Sequence, residues 1–244
     1  MRIYGKNPVI ERIKTDPKSV QKIYLQVGHP DAGYVNQKAK KWGIPVHTMQ
    51  KVKMDKISRN LNAQGIMAEV GEFSYQDYDQ MLSDALKQKR SLIFLDELKD
   101  PQNLGGVIRS LACLGGFALI LPTHDSVCVT ESVLRVACGG ENFVPMARVA
   151  NLAKAIREAR ESGFWIAGTV VAEGEDIRSA ALSFPLGLVI GSEQKGIRPV
   201  IRKLLDQALT LPMAQPRLSL NAAHAATIFC YEIAKQRVQT GAVR

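Results

Sequence analysis

The 244-residue sequence contains no CxxC pair among its four cysteines, Cys113, Cys128, Cys138 and Cys230, and none of them stands at zinc-ligand spacing from a pair of histidines. Each lies among apolar or small residues, as in SLACLGG and TIFCYEI, so all four read as buried free thiols in a reducing compartment. The four histidines, His29, His47, His124 and His224, are scattered along the chain, and none reads as a metal ligand. No run reaches the ~18 apolar residues that a membrane helix needs, although 46% hydrophobic residues are enough to fill a core. The N-terminal segment MRIYGKNPVIERIK lacks the apolar h-region of a secretory signal. The expectation is a soluble cytoplasmic protein with no membrane contact and no metal. Internal repeats and low-complexity segments are missing too.

What is present in excess is positive charge, and it is unevenly spread. The net charge is +9, and residues 1–72 hold 13 Lys and Arg against 6 Asp and Glu, while residues 73–244 hold 19 against 17. A small basic unit beside a near-neutral one points to polyanion contact at the N-terminal end, set against a merely solvated lysine-rich surface.

The pattern along the chain divides it into residues 1–70, a linker over 71–90 and a larger unit over 91–244. In the first, NPVIERI, DAGYVNQKAKKWG and KMDKISRNLN read as helices and KIYLQVG, IPVHTM and IMAEV as strands, an α/β unit. The linker reads as partly helical, with Met81, Leu82, Ala85 and Leu86 on one side. From Ser91, the apolar runs SLIFL, FALILP and LGLVIG alternate with helices such as NLAKAIREARESG. Four or five buried parallel strands with helices on both sides make an α/β/α layered domain.

Three loops at strand ends hold the polar residues that could do chemistry. DELKDPQNLGGVIRS (96–110) offers the Asn103 amide, two glycines for close approach and the Arg109 guanidinium, with Asn103 and Arg109 expected to face one cleft. LVIGSEQKGIRP (188–199) ends a strand at Gly191 and follows it with Ser192 and Glu193. It matches neither G-x-G-x-x-G nor G-x-x-x-x-G-K-S/T, which excludes a dinucleotide fingerprint and a P-loop. LTLPMAQPRLSLNAAHAA (209–226) leads into Ser219, a candidate N-cap for the last helix, and then into Asn221 and four alanines that allow a tight interface between helices, including one between subunits. Taken alone, each is an ordinary strand–turn–helix link. Together they contain no Ser–His–Asp set, no paired catalytic carboxylates and no metal cluster, which argues against the usual hydrolases.

In order and spacing the three loops resemble the signature motifs of the SpoU (TrmH-like) family of RNA 2′-O-methyltransferases, in the SPOUT superfamily. DELKDPQNLGGVIR stands for D-x-x-x-D-P-x-N-x-G-x-x-x-R, GSEQKG for G-x-E-G-x-G, and LPM followed by SLN for the third motif. IYGKNPVIERI and QGIMAEV resemble the ribosomal-protein-like RNA-binding domain of the rRNA-modifying branch. The resemblance implies a deep trefoil knot in the C-terminal domain, a homodimer through the knot region, and transfer of a methyl group from S-adenosyl-L-methionine to a ribose 2′-hydroxyl of RNA, 23S rRNA by the N-terminal domain. It implies catalytic roles for Arg109, Asn103, Glu193, Ser219 and Asn221, and a cofactor pocket lined by Gly191, Leu211, Leu220 and Thr169. Gln194, Gln215 and Leu218 depart from the family pattern on what would be the cofactor and substrate side. Those departures support one rival, a non-catalytic knotted RNA-binding protein. A tRNA 2′-O-methyltransferase is a second rival, disfavoured by the N-terminal unit. A non-RNA α/β enzyme is a third, for which no motif set is present.

Overall fold

In the segment VQKIYLQ, Ile23 and Leu25 are buried and Lys22, Tyr24 and Gln26 are half-buried, the period-two pattern of a strand with one face in a core, and a register shift between Val20 and Lys22 lets Val20 be buried too. The computed structural model describes residues 1–58, 61–215 and 218–239. Its N-terminal part is built from β1 (Arg2–Tyr4), α1 (Lys6–Thr15), β2 (Val20–Gln26), α2 (Ala32–Trp42), β3 (Val46–Met49), α3 (Lys51–Ile57) and β4 (Ile66–Val70). The sheet order is β1-β4-β2-β3, with β4 antiparallel to its neighbours and β2 parallel to β3. Ile3, Ile23, Leu25, Ala68 and Val70 pack with Val9 and Ile13 of α1 and Val35 and Ala39 of α2. On the other face Tyr4 and Met67 pack with Met54 of α3. The sequence pattern does not announce β1, a three-residue edge strand too short to show a period. The helix expected over KMDKISRNLN ends at Ile57, and residues 59–60 of that segment lie outside the described residues.

The larger part contains α4 (Tyr78–Lys87), β5 (Ser91–Leu95), α5 (Pro101–Leu114), β6 (Phe117–Pro122), α6 (Glu131–Ala137), β7 (Met146–Val149), α7 (Leu152–Glu161), β8 (Trp165–Thr169), β9 (Glu175–Asp176), β10 (Leu186–Ile190), α8 (Pro199–Arg202), β11 (Gln207–Thr210) and α9 (Ala222–Gln239). Its sheet has seven strands against the four or five expected, in the order β7-β6-β5-β10-β8-β11-β9, every pair parallel. β5, β6 and β10 are buried at every residue, as a parallel sheet covered on both faces requires. Alternate residues serve alternate layers. Ile93, Leu119 and Leu188 pack in one core with Leu104, Val107 and Ile108 of α5 and Phe229 and Ile233 of α9. Leu92, Ile120 and Val189 pack in the other with α4 and with Ile156 and Ala159 of α7. The segment 71–90, expected as a connector, therefore includes a helix whose Tyr78, Met81, Leu82 and Ala85 are buried on the larger sheet.

The strand order runs outward from β5 to β7, then returns on the other side through β8, with β10 inserted between β5 and β8. Such a reversal leaves a crevice at the carboxyl ends of the strands. The N-terminal part is pinned beside α5 and α6. The Arg2 backbone N–H donates to Glu131 at 2.8 Å. Arg12 of α1 and Glu141, at the turn after α6, form a buried ion pair at 3.1 Å, 6% and 0% exposed at their side chains. Burial pushes the Glu141 carboxyl above its ordinary value, against the pull of Arg12. No helix among the described residues is long and apolar enough to cross a membrane.

Candidate functional site

Three strand ends build the site. β10 leads into Gly191, and a Cβ there would overlap the backbone of Gly196 and Ile197, so only glycine lets the loop fold back this tightly. The return is closed by Ser192 N–H to Gly196 O at 3.1 Å and Gly196 N–H to Ser192 O at 2.9 Å. Gly196 takes φ +66°, the left-handed conformation that favours glycine. The loop is then tied to β5. The wholly buried Asp96 accepts from Arg198 N–H at 2.8 Å and from Arg198 Nε at 2.7 Å. Sequence reasoning missed both residues, although a carboxylate ending the apolar run SLIFL and an arginine ahead of Pro199 on the adjacent strand's loop were the available signal. Asp96→Asn is expected to lower stability by about 2 kcal/mol, by weakening the charge-assisted bonds of a buried group. It should also speed hydrogen exchange at the Arg198 amide in a full-chain measurement.

The first and third loops join the second through side chains. Asn103 Nδ2 donates to Glu193 Oε1, and Asn221 Nδ2 donates to Asn103 Oδ1 at 2.6 Å. Asn221 Oδ1 accepts from the Ala223 N–H at 2.8 Å. The α9 N-terminus is therefore capped by Asn221, where the sequence had favoured Ser219; Ser219 is exposed and stands two residues before the cap. Asn103 is also not a capping residue. Asp100 caps α5, with Pro101 as the first helical residue, and this sets Asn103 in the first turn, 5% exposed and aimed at Glu193.

The crevice beside this relay has a volume of about 760 Å³. Thr169, Gly191, Glu193, Leu211, Ser219, Leu220 and Asn221 all line it, so seven of the nine expected site residues meet in one crevice. Asn103 stands just behind it. Ala225 and Phe229 of α9 and the Val170–Glu173 loop also line it; their sequences gave no sign of this. Gln194 and Leu218 line the crevice, whereas Gln215 is exposed and does not line it, although its carbonyl accepts from the Leu218 N–H at 3.0 Å.

Arg109 is the exception. Six residues of α-helix turn through ~600°, which puts Arg109 about 120° from Asn103 around α5. It is exposed and its Nη1 donates to Cys138 Sγ at 3.7 Å. Asn103 and Arg109 do not face the same crevice within one chain. The alanines of α9 make the tight helix-to-helix contact expected of them, within one chain. Ala222, Ala223 and Ala226 are buried against α5 of the same chain, where a Cβ on Gly106 would come within 2.9 Å of Ala223 Cβ.

The crevice fits a nucleoside-type cofactor on its own chemistry. Ile190, Leu211, Met213, Leu220 and Phe229 give an apolar wall, and the glycine-permitted return at Gly191–Gly196 brings backbone polar groups to its edge. Among the described residues no group of three or more His, Cys, Asp or Glu could hold a metal ion.

Residues 90–231 match the SpoU rRNA Methylase family, and residues 2–76 match the family described as RNA 2′-O ribose methyltransferase substrate binding. YacO of Bacillus subtilis (strain 168), named as a TrmH family tRNA/rRNA methyltransferase, is 35% identical over 243 residues, covering 98% of this chain and 97% of its own. Among solved structures, the AdoMet-bound rRNA methyltransferase from Sinorhizobium meliloti superposes with a TM-score of 0.81 at 24% identity, over 97% of this chain and 87% of that one. The SpoU methyltransferase AviRb from Streptomyces viridochromogenes, in complex with AdoMet, gives 0.79 at 23% identity, over 98% and 90%. These likenesses share one fold, and both span the N-terminal sheet as well as the seven-stranded one.

Proposed function

Because the chain belongs to the SpoU rRNA methylase family and is an RNA methyltransferase, we propose that its crevice binds S-adenosylmethionine and that the acceptor is a ribose 2′-hydroxyl of ribosomal RNA, 23S rRNA in particular. The observation that carries this reading is the relay Asn221–Asn103–Glu193, which draws one polar side chain from each of three loops to the rim of a single apolar-walled crevice. The match of residues 2–76 to a 2′-O ribose substrate-binding family supports the ribose as acceptor. The basic N-terminal part, +7 over residues 1–72, supports a large RNA held mostly through its phosphates.

The crevice lining at Thr169, Gly191, Leu211 and Leu220 would hold the cofactor. When bound, S-adenosylmethionine supplies a methyl group on a sulfonium, already activated for displacement. The chain's task is to align the attacking hydroxyl, and orientation is the larger part of the acceleration. Glu193, held by Asn103, is placed to accept a hydrogen bond from the incoming ribose. Ser219 and Asn221 border the same edge. The guanidinium of Arg109 would hold the RNA phosphate beside the reacting ribose.

Arg109 faces away from its own crevice, so this role calls for a second copy of the chain, with the homodimer formed through the knotted region. Exposed Ile228, Tyr231 and Val238 fall on one side of α9, an apolar stripe suited to such an interface. The cytoplasm is the compartment where this substrate is met.

Single-turnover methyl transfer to ribosomal RNA tests the assignment. Arg109→Ala should slow the step at least ~100-fold, the range lost when one transition-state contact is removed. A near-normal rate with saturating RNA would remove Arg109 from the mechanism. The rival non-catalytic reading rests on Gln194 and Leu218 on the crevice wall, and calorimetry separates the two: no heat with millimolar S-adenosylmethionine would favour the rival.

A further inference from the structure

The N-terminal sheet leaves part of one face uncovered. Strand pairing sets Tyr4, Met67, Tyr24 and His47 in one row across that face, and Arg2, Glu69 and Lys22 in the next. α3 covers the Tyr4–Met67 end, where Met54 and Met67 are buried. Beyond it the Tyr24 and His47 rings stand with centroids 5.9 Å apart, tilted by 35°. Between these rings and α3 lies a cavity of about 210 Å³, with Met67 and Ile57 as apolar floor and Arg2 and Lys53 at its edge. Lys22 Nζ lies 5.9 Å from the Tyr24 ring centroid.

The charges around the cavity do not cancel. Glu69 is the carboxylate of this row, and it is already engaged by Arg2 at 3.4 Å and by the Tyr24 hydroxyl at 3.1 Å. Lys22 and Lys53 enter no ion pair among the described residues. An apolar floor, two aromatic faces and two ammonium groups outside any ion pair among the described residues form a site for a flat π system that carries negative charge beside it. That is the chemistry of an unstacked nucleobase and its flanking phosphates.

We propose that this cavity takes one splayed-out base of a single-stranded RNA segment, stacked on Tyr24 and His47, with the adjoining phosphates on Lys22 and Lys53. The site lies on the small sheet and not on the strand ends that build the crevice, so it holds the RNA away from the reacting ribose. It rests on the reading that RNA is the substrate. Stacking of this kind accepts any base, so the cavity adds affinity for unpaired RNA without dictating sequence.

Fluorescence anisotropy on the full chain, with a labelled random-sequence single-stranded oligoribonucleotide of about 10 residues, tests it. His47→Ala and Tyr24→Leu are each expected to weaken binding by about 5-fold to 50-fold, with the salt dependence unchanged. Lys53→Ala should flatten the slope of log affinity against log salt by about 0.7. His47 is exposed, so its replacement leaves the fold intact, and binding of S-adenosylmethionine by calorimetry should be unchanged in all three variants. Normal binding by His47→Ala and Tyr24→Leu, in a chain that does bind the oligonucleotide, overturns the cavity and leaves RNA as substrate. No binding by the unaltered chain overturns both.

Discussion

Gly191→Ala is expected to weaken S-adenosylmethionine binding at least ~100-fold, close to 3 kcal/mol at ~1.4 kcal/mol per tenfold. The cause is steric and local. The added methyl would have to share space with the backbone of Gly196 and Ile197, and backbone atoms cannot rotate aside as a side chain can. Relief requires the loop to open, breaking the paired hydrogen bonds between Ser192 and Gly196 and displacing Glu193 from Asn103. The polar edge of the crevice and the relay would be lost together. Gly33→Ala is the matched control, since nothing among the described residues lies within 4 Å of a Cβ there. Calorimetry should show that variant binding as the unaltered chain does. Binding by Gly191→Ala within about threefold of normal, less than 1 kcal/mol, would mean that the strand-end loop does not hold the cofactor.

The second large effect lies at the seam between the two sheets. Arg12 and Glu141 are both almost fully buried, and among the described residues Arg12 Nε and Glu141 Oε2 have no hydrogen-bond partner. Removing one partner strands a charge out of water, which costs about 3–5 kcal/mol. Arg12→Ala and Glu141→Ala should therefore each shift the urea unfolding midpoint strongly downward. The double variant Arg12→Met/Glu141→Leu should lose much less, since an apolar pair of similar volume bears no desolvation cost. Single variants within 1 kcal/mol of the unaltered chain would show that the pair is not a buried one. The turn that carries Glu141 lies against the middle of α5, where a Cβ on Gly140 would come within 3.2 Å of Arg109 Cα. Loosening the seam thus disturbs both the seating of the N-terminal sheet and the placement of Arg109.

The sequence was most legible where burial dictates composition. SLIFL, FALILP and LGLVI could only be strands buried on both faces, and Asn151 and Gly163 bracket α7 as their types require. β1 and β9, three and two residues long, carry no period and exist because a neighbouring strand offers them hydrogen bonds. α8 is only four residues long and stops at Arg202, because Gln207 and Ala208 already belong to β11. At the site, the three motifs identified loops but not directions. Helical phase, fixed by the cap at Asp100, turns Asn103 inward and Arg109 away. The point at which the chain enters α9 makes Asn221 the cap and leaves Ser219 before it. The alanine face of α9 was correctly a tight contact, but its partner is Gly106 of the same chain, a pairing that depends on tertiary topology and has no local signature. Asp96 and Arg198 are held by a contact between adjacent strands 102 residues apart in sequence, which composition alone does not reveal.

Alkaline hydrolysis of the product distinguishes methyl transfer to a ribose oxygen from transfer to a base. A 2′-hydroxyl is the internal nucleophile of alkaline RNA cleavage, so a 2′-O-methyl group protects the phosphodiester that follows it. Ribosomal RNA incubated with the full chain and methyl-labelled S-adenosylmethionine should yield its label in alkali-stable dinucleotides, and the Gly191→Ala chain should yield none. Label recovered in mononucleotides would place the methyl group on a base and exclude the ribose 2′-hydroxyl as acceptor.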